Sequence, residues 1–395
     1  MTDSTKREQE IDALVSEFRL PETVYVTQPS LPSLDAYGDL LKGIWERKWL
    51  TNGGVLHAEL ESELANYLDI EHLSLFCNGA IALLVALQAL RITSGEVITT
   101  PFTFPATPHV LHWNRVTPVF ADIDPKTFNL DPAKIERHIG SDTKAILAVH
   151  VYGTPCDVDA IQAIADRHGL HVIYDAAHAF GVKYKGRALA DFGDISMLSF
   201  HATKLFTTIE GGALVLHNEA QRKRVNSLKN FGIADEETVI GPGINGKMNE
   251  FQAAFGLLQL KDVDNEIERR RQIAGLYREL LSGIPGVKLL IPNAHTRENF
   301  AYFPIAIDSD RFGMSRDALY LALKKFNIHT RKYFYPLCSQ YPCYAALPSS
   351  RSANLPVAEK AAREILCIPI YGSLDLNVAR HIANVIRKCQ ELSVS

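Results

Sequence analysis

Between residues 73 and 217 the chain repeats one pattern, and that repetition constrains its fold more than any other feature. Short apolar runs recur at LSLF (73–76), EVITT (96–100), TPVFADI (117–123), KAILAVHVYG (144–153), HVIYDAA (171–177), DISMLSFH (194–201) and GGALVLH (211–217). Most are separated by helix-like stretches such as IALLVALQAL (81–90) and DVDAIQAIADRHG (157–169). Strands alternating with helices of about 10–15 residues indicate βαβ units and a mostly parallel sheet. The runs are nearly continuous rather than alternating, as expected of strands covered on both faces.

The flanks read differently. Residues 1–35 form an N-terminal arm: a polar, charged start that could hold a short helix, then the extended, proline-containing QPSLPSL. Two helical patterns follow, DAYGDLLKGIWERKW (35–49) and LHAELESELANYL (56–68), divided by the turn-prone Leu50-Thr51-Asn52-Gly53-Gly54. After residue 217 the chain turns helical, with one long helix expected over about 249–282. Short strands and helices after it, including FAYFPIAI (300–307) and SRDALYLALKKF (315–326), suggest a smaller α+β lobe. The division expected is therefore an arm over 1–35, a large domain over 36–260 and a small C-terminal domain over 261–395. The length, 395 residues, suits two lobes, and 47% apolar content is enough for a sizeable core.

Composition excludes several classes. The net charge is −4, far from the basic footprint of a nucleic-acid binder. Arg269-Arg270-Arg271 has acidic neighbours in a helical stretch and reads as a solvated helix face. No stretch approaches the ~20 apolar residues of a spanning helix, so no membrane role is expected. The start lacks the apolar region of a signal peptide. The six cysteines are scattered without a metal-binding spacing, which fits a reduced, cytoplasmic setting. No GxGxxG follows the early strands, which argues against a dinucleotide-binding dehydrogenase.

In open α/β sheets ligands sit beyond the carboxyl ends of the strands, so polar residues just after the apolar runs carry the search for a site. Asn78-Gly79-Ala80 stands between a strand and a helix. Asn78 could cap that helix, and the helix start could take an anion such as a phosphate, although most such pairs are plain turns. Asp175 closes an apolar strand. A carboxylate there needs a positive partner, which could be a protonated pyridine nitrogen, a helix start or an internal salt bridge. His178 could hydrogen-bond a ring oxygen or simply pack. Lys204 follows the strand ISMLSF and precedes another, with Gly211 and Gly212 between. A lysine held in a desolvated loop loses proton affinity and becomes a usable amine nucleophile, whereas most lysines are solvated surface residues. Phe104, in TPFTFPAT, could stack on a flat ligand or belong to the core.

Taken together, NGA…TPFTFPAT…VHVYG…DAAHAFG…SFHATK…EGGA…MNEFQAA resembles the DegT-type family of pyridoxal phosphate (PLP)-dependent sugar aminotransferases. The resemblance runs from about residue 25 to LCIPIYGSLD near the C-terminus. It implies fold type I, the aspartate aminotransferase-like α/β fold, with a mostly parallel central sheet and a smaller C-terminal α+β domain. It also implies PLP as cofactor, L-glutamate and a nucleotide-linked keto sugar as substrates, and a homodimer. By resemblance Lys204 is the cofactor-linking (Schiff-base) lysine, Asp175 pairs with the pyridinium nitrogen, and His178 lies near the 3-oxygen. Phe104 stacks on the ring, while Ser199, Gly79 and Ala80 contact the phosphate. Asn249, in KMNEFQAA, matches an asparagine that reaches the phosphate of the other subunit, so the active sites would be shared. Thr51, Asn52, Gly53, His329, Arg331 and Tyr335 are candidates for the sugar-nucleotide rim, Arg331 being equally readable as a surface ion pair.

The family's sugar 3-dehydratases carry histidine in place of the lysine, so Lys204 favours amino transfer. The form SFHATKLFTTIEGGA departs from the commoner SFxPxKNLGxxGDGGA and is similar to members that aminate C4 of dTDP-4-keto-6-deoxyglucose. A C3 aminotransferase and an enzyme for GDP- or UDP-sugars are the alternatives within the family. A non-catalytic PLP-fold sensor is the alternative outside it, disfavoured by the intact Lys204, Asp175 and His178.

Overall fold

The computed structural model describes residues 3–291 and 293–394; residues 1 and 2 of the expected arm, and 292 and 395 of the expected small domain, lie outside it. Seven strands build the central sheet: β1 (His72–Phe76), β2 (Glu96–Thr99), β3 (Thr117–Phe120), β4 (Thr143–Val149), β5 (His171–Asp175), β6 (Ile195–Ser199) and β7 (Gly212–Leu216). Their order is β1-β7-β6-β5-β4-β2-β3. All neighbours are parallel except β7, which runs antiparallel to both β6 and β1. The strands are buried on both faces, as their unbroken apolar runs require. KAILAVHVYG is shorter as a strand than its apolar run: β4 ends at Val149, and residues 151–153 form a 3-10 turn.

Helices cover both faces. After α1 (Asp3–Phe18), which packs elsewhere, α2 (Leu34–Arg47), α3 (Val55–Leu68), α4 (Gly79–Ala89) and α5 (Ala106–Trp113) precede the middle of the sheet. The single helix expected over 249–282 is two, α6 (Glu250–Leu260) and α7 (Val263–Leu281), broken at Lys261-Asp262. Asn249 and Gln252 form a reciprocal capping box at the start of α6. The basic run on α7 is also not uniformly solvated. Helical periodicity turns Arg270 inward, where it is 2% exposed and pairs with the buried Glu266 at 2.6 Å.

A second core lies after α7. Strands β8 (Val287–Leu289), β9 (Phe303–Ile307) and β10 (Ile365–Ile368) form an antiparallel sheet in the order β8-β9-β10. Helices α8 (Arg316–Lys325), α9 (Pro356–Glu364) and α10 (Leu376–Val394) complete this part. Its apolar cluster takes in Ile273 and Tyr277 of α7 and Ile382 and Ile386 of α10. The N-terminal helix is not a free arm: Ile11, Leu14, Val15 and Phe18 pack on this same cluster. Val24-Tyr25 then pairs with Ile328-His329. Two carboxylates stitch distant elements together by capping helix starts. Buried Asp122 accepts from the N–H groups of Val357 and Ala358, and Glu250 from those of Leu56 and His57.

Candidate active site

The carboxyl ends of β1, β2, β4, β5 and β6 open on one cavity of about 420 Å³. Its size is within the ordinary range for cofactor sites. Among its lining residues are Gly79, Ala80, Phe104, Asp175, His178, Ser199 and Lys204. The strand register explains the convergence. Asp175 lies opposite Val149 on one side and Met197 on the other, two residues before Ser199.

At one end of the cavity α4 begins. Asn78 caps it, its side chain accepting from the Ile81 N–H at 2.8 Å. Gly79 is required here by space. A Cβ would stand 2.8 Å from the Met197 sulfur, and one on Gly212 would stand 2.7 Å from the Gly79 nitrogen. The helix start is thus seated directly on β6 and β7, with Ser199 beside it. Such a start, with its unpaired first-turn N–H groups, suits a phosphate.

Asp175 is 4% exposed. Its Oδ1 accepts from the Ala177 N–H at 3.1 Å and its Oδ2 from the Thr107 hydroxyl at 2.8 Å. Burial raises its pKa from the ordinary value; the two hydrogen bonds and the nearby Lys204 work in the opposite direction. His178 is 7% exposed, and burial first, then Lys204, hold its pKa well below the usual 6.5. Its Nδ1 accepts from the Tyr152 N–H at 3.1 Å, so in the neutral ring the proton sits on Nε2. The backbone at His178 is itself fixed, because Asn299 donates to the carbonyls of His178 and Phe180.

Lys204 stands in a loop closed at its base by the Phe200 N–H to Gly211 carbonyl bond of 2.8 Å. The next two side chains, Leu205 and Phe206, are buried, and Phe206 stacks on Phe180 at 4.4 Å. These anchors leave the lysine directed into the cavity. Burial lowers its pKa, opposed by Asp175 and Tyr333. Its Nζ donates to the Tyr302 hydroxyl at 3.4 Å. Phe104 lines the wall with 58% of its surface exposed, an unusual state for a phenylalanine, and one that leaves its ring free to meet a flat ligand.

The donor set therefore suits PLP: an anion seat at a helix start, a buried carboxylate, a neutral histidine with a fixed donor nitrogen, a desolvated lysine and an exposed aromatic ring. Several lining residues were not singled out from sequence: Thr103, His201, Glu210, Tyr302, Tyr333 and Phe334. Thr103 and Glu210 lie inside motifs that drew attention for their neighbours. Tyr302, Tyr333 and Phe334 come from the C-terminal part of the chain, and no local pattern foretells their arrival.

The expected rim residues lie elsewhere in this chain. Thr51, Asn52 and Gly53 are exposed on the loop before α3 and do not line the cavity. Asn249 caps α6, next to that loop, because Glu250 binds the start of α3. His329 packs edge-on against Tyr25 at 5.3 Å. Arg331 is exposed, its backbone bridged to Cys367. Tyr335 lies outward beneath Arg316 and Lys332, while its neighbours Tyr333 and Phe334 turn inward. The residues of HTRKYFYPL that reach the cavity are thus one and two positions before Tyr335.

Comparison with known proteins agrees with this geometry. A dTDP-4-amino-4,6-dideoxy-D-glucose transaminase of Escherichia coli is 51% identical over 92% of this chain and 98% of its own. A transaminase of the same name from Shigella dysenteriae is 45% identical over 93% of this chain and all of its own. The solved structure of DesI in the presence of its TDP-sugar product is 35% identical, covers 94% of each chain and superposes with a TM-score of 0.90. The model of the DegT/DnrJ/EryC1/StrS aminotransferase family matches residues 37–387, and the chain belongs to that family.

Proposed function

We propose that this PLP-dependent nucleotide-sugar aminotransferase moves the amino group of L-glutamate onto C4 of dTDP-4-dehydro-6-deoxy-D-glucose, giving dTDP-4-amino-4,6-dideoxy-D-glucose. The observation that carries the chemistry is the meeting of Lys204, Asp175 and His178 in one cavity at the strand ends. The sugar is supported by the relatives of that name at 51% and 45% identity.

When bound, PLP supplies an electron-withdrawing ring that stabilises the charge left on carbon after a proton is removed. With the cofactor in place, Lys204 Nζ would take the α-proton of glutamate and release it again, and would move a proton in the opposite sense with the keto sugar. A lowered pKa suits a group that must both accept and release a proton. Asp175 would accept from the protonated ring nitrogen, and His178 Nε2–H would donate to the ring oxygen. Gly79, Ala80 and Ser199 would hold the phosphate, and Phe104 would cover one face of the ring.

The active unit is a homodimer with shared sites. Asn249 and the Thr51–Gly53 loop lie together, and none of them is among the residues that line their own chain's cavity. Around them Trp45, Trp49, Leu50 and Val55 are exposed. Exposed apolar surface of this extent marks an association face, and a partner's Asn249 would reach the phosphate from there. Among the described residues no helix is long and apolar enough to cross a membrane, and we place the enzyme in the cytoplasm. The test is product analysis by NMR after incubation with dTDP-, GDP- and UDP-linked keto sugars. Amination at C4 of the dTDP-sugar is expected; preference for a GDP- or UDP-sugar, or amination at C3, would overturn the assignment.

A further inference from the structure

Thr103 and Thr107 bracket Phe104 on the turn into α5. That turn sends the phenylalanine outward and both hydroxyls inward. Thr107 is 0% exposed and Thr103 2%. The two hydroxyl oxygens are 2.9 Å apart, and that of Thr107 is 2.8 Å from Asp175 Oδ2. A hydroxyl has one proton to give, and an ionised carboxylate can only accept. Thr107 therefore donates to Asp175. Its own proton being committed, it accepts from Thr103. The direction of the chain is set from the carboxylate outward: Thr103 to Thr107 to Asp175.

We propose that Thr107 is a positioning residue for amino transfer, and that with Thr103 it forms a one-way hydroxyl relay holding Asp175 as an oriented anion. The proposal rests on the reading of Asp175 as the partner of the ring nitrogen. Core packing alone does not account for this pair, since valine would fill either site without burying a hydroxyl. Asp175 is otherwise held by one backbone donor, the Ala177 N–H, on the other oxygen. Thr107 is thus the side-chain donor that fixes Oδ2. It also opposes the burial that works against the charged form of the carboxylate. Without that donor, Asp175 would take up a proton at a higher pH, and its carboxylate would be free to rotate.

The test compares the holoenzyme of the unchanged chain with Thr107→Val, Thr107→Ser and Thr103→Val. Three quantities are read: kcat across pH 6 to 9, the cofactor dissociation constant from rebinding to the apoenzyme, and the pH dependence of the visible band. Loss of one hydrogen bond to a charged group predicts a fall in kcat of about 10- to 100-fold for Thr107→Val at the acidic end. The deficit shrinks as pH rises, because the carboxylate regains its charge. Cofactor binding weakens by about tenfold or more. Thr107→Ser restores both, and Thr103→Val shows the same pH trend at a few-fold. A deficit in Thr107→Val that is equal at every pH, with unchanged cofactor affinity, would overturn the proposal. So would a serine variant as impaired as the valine one. If Thr107→Val does not fold, Thr103→Val decides: the pH trend supports the relay, and a profile like that of the unchanged chain overturns it. An unchanged chain that gives no visible band with PLP would remove the underlying reading of the site; a normal band with a pH-independent Thr107→Val deficit removes the relay alone.

Discussion

The inner wall of the cavity and the exposed loop around Thr51 answer different demands. On the inner wall the polar side chains that carry the chemistry are braced. Asp175 has Thr107 and the Ala177 N–H, His178 has the Tyr152 N–H, and Lys204 sits between buried anchors. On the outer loop, Thr51, Asn52 and Gly53 are exposed beside Trp45, Trp49 and Leu50, which keep half or more of their surface exposed. The two regions are nonetheless joined: Glu250 caps the helix that follows the loop, and Gln252 of the same helix as Glu250 donates to the carbonyls of Cys77 and of Glu210, which lines the cavity. We infer a division of labour. The inner wall is complete within one chain and sets the chemistry. The outer loop is rigidly placed but faces away, as a surface that serves a second copy would.

Substitutions can break that comparison, and they rank by expected effect. Lys204→Ala should abolish turnover, by about three orders of magnitude or more, with loss of the cofactor's visible band. Asp175→Asn should follow at about 100-fold or more, since a fixed charge facing the reacting system is removed while the shape is kept. On the outer surface the informative experiment is a mixture. Asn249→Ala alone should lose about tenfold through weaker cofactor retention. Mixed with Lys204→Ala chains, it should recover to about a quarter of full activity, about two- to threefold above Asn249→Ala alone, because a mixed dimer contains one site with both residues intact. No recovery would mean that each cavity works within its own chain. Phe104→Ala should weaken cofactor binding by only about 3- to 10-fold, the scale of one aromatic stacking contact.

Acid stability adds a prediction about the inner wall and the layers behind it. Burial holds His178 well below 6.5, His57 at about 4 and His150 at about 3. These folded-state values are depressed, so below pH 6.5 the unfolded chain binds protons that the folded chain refuses. Stability should therefore fall as pH drops from 6.5 towards 4, and the melting temperature should decline over that window. A melting temperature constant from pH 7 to 4.5 would contradict the burial of neutral histidines.

Much of the inner wall was legible in the sequence because its residues follow strands directly. Once the apolar runs place β5 and β6, Asp175 and Ser199 are set at their carboxyl ends, and the Lys204 loop follows Ser199. The fold type and the family could be read the same way, from motifs in order. Other features depend on tertiary contact that no local pattern carries. Tyr302, Tyr333 and Phe334 enter from the C-terminal part of the chain. Tyr335 reads like Tyr333 in sequence yet points outward, under Arg316 and Lys332. The break between α6 and α7 was missed because the helical pattern runs on through Lys261-Asp262. The N-terminal helix was readable as a helix, but not the surface it docks on.

Lys204 carries the whole account, and it can be examined without any assumption about the sugar. Borohydride reduction of the PLP-loaded protein, followed by peptide mass mapping, identifies the lysine that is joined to the cofactor. The pyridoxyl mass is expected on the peptide containing Lys204, and is expected to be absent from the same peptide when the protein is first treated with excess L-glutamate. Label on another lysine, or a Lys204 peptide that is never modified, would contradict it.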